Sequence, residues 1–483
     1  MTICYVTREF FPFYYGGIGS HFYFQMKMMQ SKGHRIILIT NEYPNVEKHL
    51  VAKYYDGIEI VFTDASLENF QTHQNLNNSF LMWKALDDLI EANEIKLDFV
   101  VIPDCGSEGF FMILNQTLYG KYPDIKFVVE VEGPMNMVAV KNRDSVDEHF
   151  TITGLMEEFT FRNSKYFTFP TEIMMKELKD QIKIEEINYK LVPNLVNNDF
   201  VPGAAKHNPV TKNIFFVGRL EYRKGADLLI QAFIQIIEEE KYNDAQLYFV
   251  GKDQYWNDYG KTFQEYWCEK LTSQQLSKIH FLQFLPHDEL IERLAESRVC
   301  VFPSRWEPFG NVALEAILAG VPVIVPKGTG LAEIVDRDYD WLFEAENIGE
   351  LKNVLKKALD ETEDNLILRS ENLVKRAKEV LAISEESFCS FLEETKEGKG
   401  IALNEKRHDA KLIFEIFSVY IQLTGNPGKK FKEMQKDYFK VNQLYQDISK
   451  FYAELQTQFD QVNKENLILK KYLNVLQNGK VSQ

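Results

Sequence analysis

The chain of 483 residues has few cysteines and no long apolar run. Its 5 cysteines are scattered, and none lies in a CxxC spacing. This argues against a disulfide framework or a thiolate metal site and favours a reducing compartment. No apolar run reaches the roughly 18 residues that a transmembrane helix needs. The N-terminal segment MTICYVTREF lacks the basic and apolar regions of a signal peptide and is predicted to form a strand.

Positive charge is also scarce. The formal net charge is −16 at neutral pH, which argues against a general nucleic-acid binder because such a protein needs a basic field. The excess of negative charge is confined to the first 400 residues. From residue 401 to the end, 13 Lys and Arg stand against 9 Asp and Glu, a net charge of +4. This shift predicts a domain boundary near residue 400.

Short β-rich runs alternate with helical patterns over most of the chain. A turn-rich stretch around 195–212 separates a first series of predicted strands from a second one. Strands that alternate with helices form parallel sheets with covered faces. The predicted fold class is therefore α/β, with two tandem Rossmann-like doubly wound domains that face a cleft. Residues 1–200 are predicted to form the first domain, 212–390 the second, and 401–483 a helical tail.

An apolar stripe marks the predicted tail. Val441 and Ile448 begin a series of apolar residues at seven-residue intervals that ends at Leu476, with no glycine or proline between them. The pattern over about 434–477 favours a coiled coil, which would bind a second copy or a partner protein, over a helix packed on the body. Lysines flank an apolar segment at 412–423. This segment is expected to be a core helix that crosses back onto the first domain, while contact of the lysines with an anionic membrane stays open.

The first chemical motif is FPFYYGGIGSH, which follows the first predicted strand and opens a helix. Gly16 and Gly17 would let the backbone approach a ligand closely, and the helix N-terminus would offer free amide groups to an anion. A phosphate is the expected guest, although glycines that only permit tight packing would give the same pattern. The motif lacks the GK[ST] ending of a P-loop, which argues against an ATPase.

The second motif is VGRLEYRKG, again between a predicted strand and a predicted helix. Arg219 and Lys224 are well placed to meet a diphosphate, the arginine through a bidentate fork and the lysine as a point charge. A pair of solvated surface cations is the alternative interpretation.

The third motif is PSRWEPFGNVALEA. Glu307 is predicted in the loop before a helix that starts near Asn311, and Glu315 lies on the second turn of that helix. Two carboxylates at different depths suit a polyhydroxylated ligand, because each accepts hydrogen bonds from vicinal hydroxyls. Free amide groups at the helix start add donors. Two solvated glutamates are the alternative.

The three motifs together resemble the retaining glycosyltransferases of family 4, which have the GT-B fold. GTGLAEIV and FLPHDEL, later in the chain, extend a resemblance that covers about residues 1–390. The resemblance implies transfer of a sugar from a nucleoside diphosphate donor, with a UDP-sugar expected. The acceptor would be a hydroxyl of a glycan, a lipid-linked glycan or a protein. The resemblance also implies no bound metal, no cofactor, and a front-face reaction in which a donor phosphate oxygen helps to deprotonate the acceptor.

The same resemblance implies a role for each matching residue. The implied contacts divide among the diphosphate, the donor sugar and the ribose of the donor. Diphosphate contacts fall to Gly16, Gly17, Arg219 and Lys224; donor-sugar contacts to Glu307 and to the backbone at Phe309, Gly310 and Asn311; and the ribose contact to Glu315.

The sequence departs from the family on the acceptor side, where many members carry a histidine. The best alignment places Glu132 there, in the stretch VEVEGP. A glutamate with a pKa raised by burial could accept the proton of the acceptor or orient its hydroxyl, and it could equally mark weakened catalysis. Asp104 and Glu108 are weaker acceptor-side candidates. His21 and His149 are expected at the surface without partners.

The expected protein is a cytoplasmic hexosyltransferase of surface polysaccharide or glycoprotein synthesis, with peripheral contact at the inner membrane face as an option. Its expected partners are a nucleotide sugar, an acceptor, and a second copy or another protein bound by the tail; nucleic acid is not expected. Two alternatives stay open. One is a non-catalytic GT-B-like subunit that assembles a glycosylation complex through its tail. The other is a glycoside hydrolase with two carboxylates, which would leave the phosphate-binding groups unexplained.

Overall fold

The computed structural model describes residues 1–398 except 15, 68–72, 94, 146, 184–186, 198–210, 284, 286 and 337, together with residue 416. The coiled coil predicted at about 434–477 and the basic clusters of the tail therefore lie outside the described residues. Within the described residues, strands and helices alternate as the sequence predicts.

The first half of the chain forms a parallel sheet of seven strands. They are β1 (Thr2–Val6), β2 (Arg35–Thr40), β3 (Glu59–Phe62), β4 (Phe99–Pro103), β5 (Lys126–Glu130), β6 (Tyr166–Phe169) and β7 (Asn188–Leu191). Their order is β3-β2-β1-β4-β5-β6-β7. The central strand β4, FVVIP, is buried at every position, as expected of a parallel strand covered on both faces. The edge strand β7 was not predicted, since its alternating exposure weakens the apolar signal.

In the described part of this half, seven α-helices connect the strands. They are α1 (Gly17–Ser31), α2 (Lys48–Tyr54), α3 (Gln74–Asn93), α4 (Phe110–Tyr119), α5 (Met135–Asn142), α6 (Glu148–Asn163) and α7 (Glu172–Ile182). Side-chain caps fix two of the helix starts, because Asp147 accepts the amide hydrogen of Phe150 and Thr171 accepts that of Met174.

The second half forms another parallel sheet, of six strands. They are β8 (Asn213–Val217), β9 (Gln246–Val250), β12 (Ile279–Leu282), β13 (Val299–Val301), β14 (Val323–Pro326) and β15 (Leu342–Phe343). Their order is β12-β9-β8-β13-β14-β15. A short antiparallel hairpin of β10 (Tyr255–Trp256) and β11 (Lys261–Thr262) interrupts the series after β9. The two doubly wound sheets confirm the predicted fold class, whereas the exact domain boundaries stay a prediction.

The helices of this half complete the layers around the second sheet. They are α8 (Ala226–Ile237), α9 (Phe263–Lys270), α10 (Ser273–Leu276), α11 (His287–Ala295), α12 (Asn311–Leu318), α13 (Leu331–Ile334), α14 (Ile348–Asp360) and α15 (Glu363–Lys396). Among the described residues, no helix combines the length and the apolar character that crossing a bilayer requires.

Helix α15 links the two halves. Near its start, Arg369 pairs with Asp340, beside the second sheet. Farther along, the hydroxyl of Ser384 donates to the carbonyl of Pro193, which lies just after the first sheet. At its end, the ammonium of Lys396 lies 2.9 Å from the Asp98 carboxylate, next to β4. The chain therefore returns to the first sheet after completing the second one.

Candidate active site

The loop between β13 and α12 carries Glu307 and is fixed by close backbone contacts. Gly310 has a φ of 106°, and a Cβ there would lie 2.2 Å from Cδ2 of Leu331. Any other residue would be strained at this φ and would require the Leu331 side chain to move. Helix α12 begins at Asn311, as the sequence predicts, directly after this glycine.

Contacts from the first half also hold this loop. The Thr171 hydroxyl donates to the carbonyl of Pro308 at 2.7 Å, and the Trp306 indole donates to the Glu177 carboxylate. The carboxylate of Glu333 accepts the first two amide hydrogens of α7, at 2.9 and 3.0 Å. A carboxylate at a helix N-terminus satisfies free donors and matches the helix dipole. The two sheets therefore meet through the loop that carries the third motif.

Lys224 and Glu307 form an ion pair across two loops of the second half. Lys224 lies in a single 3₁₀ turn after β8, and its ammonium contacts the Glu307 carboxylate. The turn reaches that position because Gly225, at φ 69°, lets the chain pass Pro303; a Cβ there would lie 1.9 Å from the Pro303 carbonyl oxygen. Burial opposes ionisation of Glu307, but the charges of Lys224 and Arg223 prevail and hold the pKa of this carboxyl below its usual value.

Further charges surround this pair. Arg219, whose side chain is 57% exposed, lies 2.7 Å from the Glu221 carboxylate. The buried Arg223 lies 3.1 Å from Glu221 and 3.6 Å from Glu307. Nε and Nη1 of Arg223 have no hydrogen-bond partner among the described residues. Three cations thus face two carboxylates, and the surplus positive charge suits a diphosphate.

Glu315 and Phe309 extend the site along α12 in different ways. Glu315 lies one turn after Asn311, and burial raises the pKa of its carboxyl to about 7. Within the described part of the chain its side chain has no recorded hydrogen bond, so it is available to hydroxyl donors. The Phe309 side chain is buried in the core, which leaves only its backbone for a ligand, as the sequence analysis expected.

Amide groups of the glycine-rich loop donate hydrogen bonds to a carboxylate of the protein itself. Glu9 accepts the amide hydrogen of Gly16 at 2.7 Å and also that of Gly19. The amide of Gly16, which the resemblance assigns to the donor diphosphate, is therefore engaged by Glu9 in this structure. The neighbouring Gly17 accepts a hydrogen bond from Nδ2 of Asn311 through its carbonyl oxygen, at 3.1 Å. The loop thus meets the start of α12.

Glu132 lies just after the carboxyl end of β5, near the place where the glycine-rich loop meets the start of α12. Its carboxylate accepts a hydrogen bond from Nδ2 of Asn194, and the same Nδ2 donates to Oδ1 of Asn311 at 3.1 Å. Burial raises the pKa of the Glu132 carboxyl to about 7, and the nearby Glu130 and Asp104 carboxylates add to this rise. The structure therefore joins the acceptor-side glutamate to the donor-side helix through one amide side chain.

His21 is buried, which corrects the expectation that it lies at the surface. Its Nδ1 accepts the Leu195 amide hydrogen at 2.8 Å, so the ring hydrogen resides on Nε2, 3.0 Å from the Glu130 carboxylate. Nε2 is also 3.8 Å from Glu132. His149 has a partner as well, because it stacks on His73 with ring centroids 4.2 Å apart.

His21, Glu130 and Glu132 bring three possible metal ligands within 4.8 Å of one another. A metal ion would need the lone pair of Nε2, where the ring hydrogen resides as long as Nδ1 accepts from Leu195. Binding would break that hydrogen bond and the one to Glu130. The hydrogen-bonding of this donor set therefore does not fit a resident metal ion.

The carboxylates of Asp104 and Glu108 accept hydrogen bonds from backbone amides. Asp104 accepts the amide hydrogens of Glu132 and Gly133 at 3.0 and 3.1 Å, which shapes the turn after β5. Glu108 accepts the amide hydrogen of Arg8 at 3.0 Å and lies 3.3 Å from its guanidinium. Burial raises the pKa of Asp104 to about 6 and that of Glu108 to about 7. Both residues line the region predicted for the acceptor, but their oxygens are already engaged.

Sequence reasoning missed four residues of this arrangement: Glu9, His21 as a buried residue, Asn194 and Arg223. Arg223 sits inside the second motif and could have been singled out there as a third cation. Asn194 follows Pro193 in the turn-rich stretch between the halves. Nothing local marks it, because its partners come from distant parts of the chain.

Residues 200–380 match the family model of glycosyl transferases group 1. An uncharacterized glycosyltransferase of Methanocaldococcus jannaschii is 37% identical over 134 residues, which is 27% of this chain and 32% of that protein. A serotype-specific mannosyltransferase of Escherichia coli is 32% identical over 163 residues, 33% of this chain and 19% of that protein. The matches thus span between a fifth and a third of these relatives.

Solved structures extend the likeness to the whole described body. Sucrose-phosphate synthase from Thermosynechococcus elongatus superposes with a TM-score of 0.62 at 15% identity, over 82% of this chain and 98% of that one. An Anabaena protein in complex with UDP and glucose superposes with a TM-score of 0.53 at 15% identity, over 83% of this chain and 99% of that one. These similarities confirm the expected fold.

Proposed function

We propose that the chain is a retaining, metal-independent glycosyltransferase of family 4 type, because residues 200–380 match the family model of glycosyl transferases group 1 and the two sheets have the GT-B fold. It would move a sugar from a nucleoside diphosphate to an acceptor hydroxyl. The observation that carries this proposal is the buried Lys224–Glu307 pair, set among surplus cations. Glu307 lies in the loop before α12, and the first residue of that helix, Asn311, is joined through Asn194 to Glu132.

The donor would bind along the carboxyl edge of the second sheet. Arg219 and Lys224 face the diphosphate and stabilise it as charge develops on the leaving group. Glu307 and the amide groups at the start of α12 hold hydroxyls of the sugar, and Glu315 holds those of the ribose. The bond from the anomeric carbon to the phosphate oxygen breaks, and a bond to the acceptor oxygen forms on the same face.

A UDP-sugar that donates a hexose is the proposed donor, with no cofactor. Support comes from the Anabaena structure, whose description names UDP and glucose, and from relatives described as a mannosyltransferase and a sucrose-phosphate synthase. The proposed acceptor is a glycan, a lipid-linked glycan or a protein of surface polysaccharide or glycoprotein synthesis. Glu132, ionised above about pH 7, would accept the hydrogen bond and then the proton of the attacking hydroxyl.

Binding of nucleotide sugars tests this proposal without a known acceptor. We expect one nucleotide sugar to raise the melting temperature of the full chain, because a ligand that binds only the folded state stabilises it by mass action. The measurement is thermal shift and calorimetry against a panel of nucleoside diphosphates and nucleotide sugars, with and without EDTA. Slow hydrolysis of the bound donor should accompany binding.

Each outcome of the panel has a clear meaning. Binding that EDTA leaves unchanged supports the metal-independent transferase, and the best ligand identifies the donor. Binding that EDTA abolishes would contradict metal independence. A panel without any binding would contradict the transferase and favour a non-catalytic subunit that assembles a complex.

For the tail we propose oligomerisation or partner binding through the coiled coil that the sequence predicts at about 434–477. Deleting residues 430–483 should lower the mass of the particle in light scattering by more than the mass of the removed segments, since subunits would separate. An unchanged subunit number would contradict this role. We also propose the cytoplasmic location that the sequence favours, and we keep peripheral membrane contact as an option.

A further inference from the structure

A polar cavity with an accessible volume of about 80 Å³ opens between the two halves, beside the diphosphate-binding motif. The end of α5 forms one wall, at residues 142–144. The other walls are Glu221 and Tyr222 of the second motif and residues 254–258 around β10. We propose that this cavity is a saccharide subsite that binds a sugar unit of the acceptor. The inference rests on the proposed function and deepens it.

The walls of the cavity are held by specific contacts. Arg143 pairs with Asp258 at 2.8 Å and places its guanidinium over the ring of Tyr222, 4.0 Å from the ring centroid. Arg305 lies over the same ring at 4.0 Å and is bidentate to Asp227. Tyr222 is therefore held between two guanidinium groups. A site with fixed walls loses little entropy when it binds a ligand.

The lining has the chemistry of a carbohydrate site. Tyr255 is 61% exposed and offers an aromatic surface, against which the C–H face of a pyranose can pack. Around it stand side-chain amides and carboxylates, which can donate to and accept from sugar hydroxyls. These polar side chains are Asn142, Asp144, Gln254, Asn257 and Asp258. An exposed aromatic ring among convergent polar groups matches the two kinds of contact that a saccharide makes.

The charges of the lining favour a neutral ligand. Asp144, Glu221 and Asp258 contribute three carboxylates, whereas Arg143 is the cation in the lining and is already paired with Asp258. A phosphate or another anion would meet this acidic lining. A neutral polyhydroxylated molecule avoids that repulsion and can donate hydrogen bonds to the carboxylates.

The position of the cavity assigns it to the acceptor. Helix α5 begins at Met135, three residues after Glu132, so one cavity wall continues from the acceptor-side turn. On the opposite wall, Glu221 pairs with Arg219, the proposed diphosphate ligand. A sugar chain bound here would lie next to the donor while leaving the Lys224–Glu307 pair free for the donor sugar.

The test is glycan binding by the full chain. Wild-type protein is applied to a glycan array, and the best neutral oligosaccharide is then titrated. Tyr255→Ala should weaken this binding roughly tenfold or more, since a central aromatic contact carries a large share of binding energy. Tyr255→Phe keeps the aromatic face and should retain most of the affinity. UDP affinity should be unchanged in both variants.

A matched control is Tyr119→Ala, which removes another exposed tyrosine, at the end of α4. It should leave glycan affinity at the wild-type value. Equal glycan affinity in wild type and Tyr255→Ala would overturn the subsite, and so would the absence of any glycan binding by the wild type. Failure of the wild type to bind nucleotide sugars would instead overturn the proposed function, so the two failures are distinguishable.

Discussion

Replacing Lys224 with alanine should lower the rate of sugar transfer by about 10²- to 10³-fold, the usual cost of removing one fixed group that stabilises developing charge. Lys224 lies in a 3₁₀ turn, and the next residue, Gly225, packs against the Pro303 carbonyl. This packing holds the Lys224 ammonium where the diphosphate would bind. The measurement is kcat and KM for the donor that the binding panel identifies. Most of the loss should appear in kcat, because charge builds up on the phosphate in the transition state.

The same substitution should also destabilise the fold. Glu307 would be left buried with Arg223 as its nearest cation, 3.6 Å away. Removing one partner of a buried pair costs about 3–5 kcal/mol. The double variant Lys224→Met with Glu307→Gln removes both charges of the pair, and Arg223 keeps Glu221 at 3.1 Å. It should therefore recover most of the free energy of unfolding. Its activity should stay low, which separates the catalytic effect from the structural one.

The pH dependence of this pair follows from the lowered pKa of Glu307. A carboxyl whose pKa is lower in the folded than in the unfolded state stabilises the fold above its unfolded pKa, and this contribution is lost as the pH falls through the folded pKa. The Glu307 carboxyl is therefore ionised at neutral pH, whereas burial lowers the pKa of the Lys224 ammonium. The control for Lys224→Ala is Lys327→Ala. It removes an exposed lysine that pairs with Glu344, and it should leave turnover unchanged. Wild-type turnover by folded Lys224→Ala protein would refute the assigned role.

Replacing Glu132 with glutamine should lower transfer by about 10²- to 10⁴-fold, the usual contribution of a positioned general base. Glutamine keeps the shape of the side chain but cannot take a proton. The wild-type rate should rise as the pH passes through about 7, because the carboxyl must be ionised to act. That rise should be absent from the residual activity of the variant. The measurement is a pH profile of kcat with saturating donor.

Glu132→Gln should raise the stability of the fold, although it lowers the activity. The pKa of Glu132 is raised from 4.5 to about 7 in the fold, so folded protein holds this proton more tightly than unfolded protein. Ionisation of Glu132 therefore destabilises the wild-type fold. This destabilisation grows as the pH rises from 4.5 to about 7 and then stays constant. Glu132→Gln should therefore unfold with a free energy higher than the wild type by roughly 3 kcal/mol at pH 8 and by almost nothing at pH 4.

An exposed glutamate provides the comparison. Glu344→Gln should change neither the pH profile nor the pH dependence of unfolding, because the Glu344 side chain is 58% exposed. A Glu132→Gln variant with the wild-type rate and pH profile would show that another group, such as a donor phosphate oxygen, receives the acceptor proton. Lower activity combined with higher stability would be the mark of a residue kept for function.

The sequence by itself determined the two sheets and the loops that carry the residues proposed to bind the donor. Runs such as FVVI and IFFV are apolar at every position, as expected of parallel strands covered on both faces. The start of α12 at Asn311 was also readable, since Pro308 and Gly310 interrupt the chain just before it. Glu307, Lys224 and Arg219 lie within short motifs, where spacing along the chain already fixes spacing in the fold.

Only the tertiary structure decided the acceptor side. His21 was expected at the surface because its neighbours in sequence give no sign of Glu130, which is 109 residues away. The raised pKa of Glu132 depends on burial, which no local pattern reports. Asn194 gains its role from partners 62 and 117 residues distant, and Glu9 reaches the amides of Gly16 and Gly19 because the loop folds back on it. Local pattern fixes which strands and helices form, whereas burial and long-range hydrogen bonds, which exist only after the two sheets pack, fix the chemistry of the side chains between them.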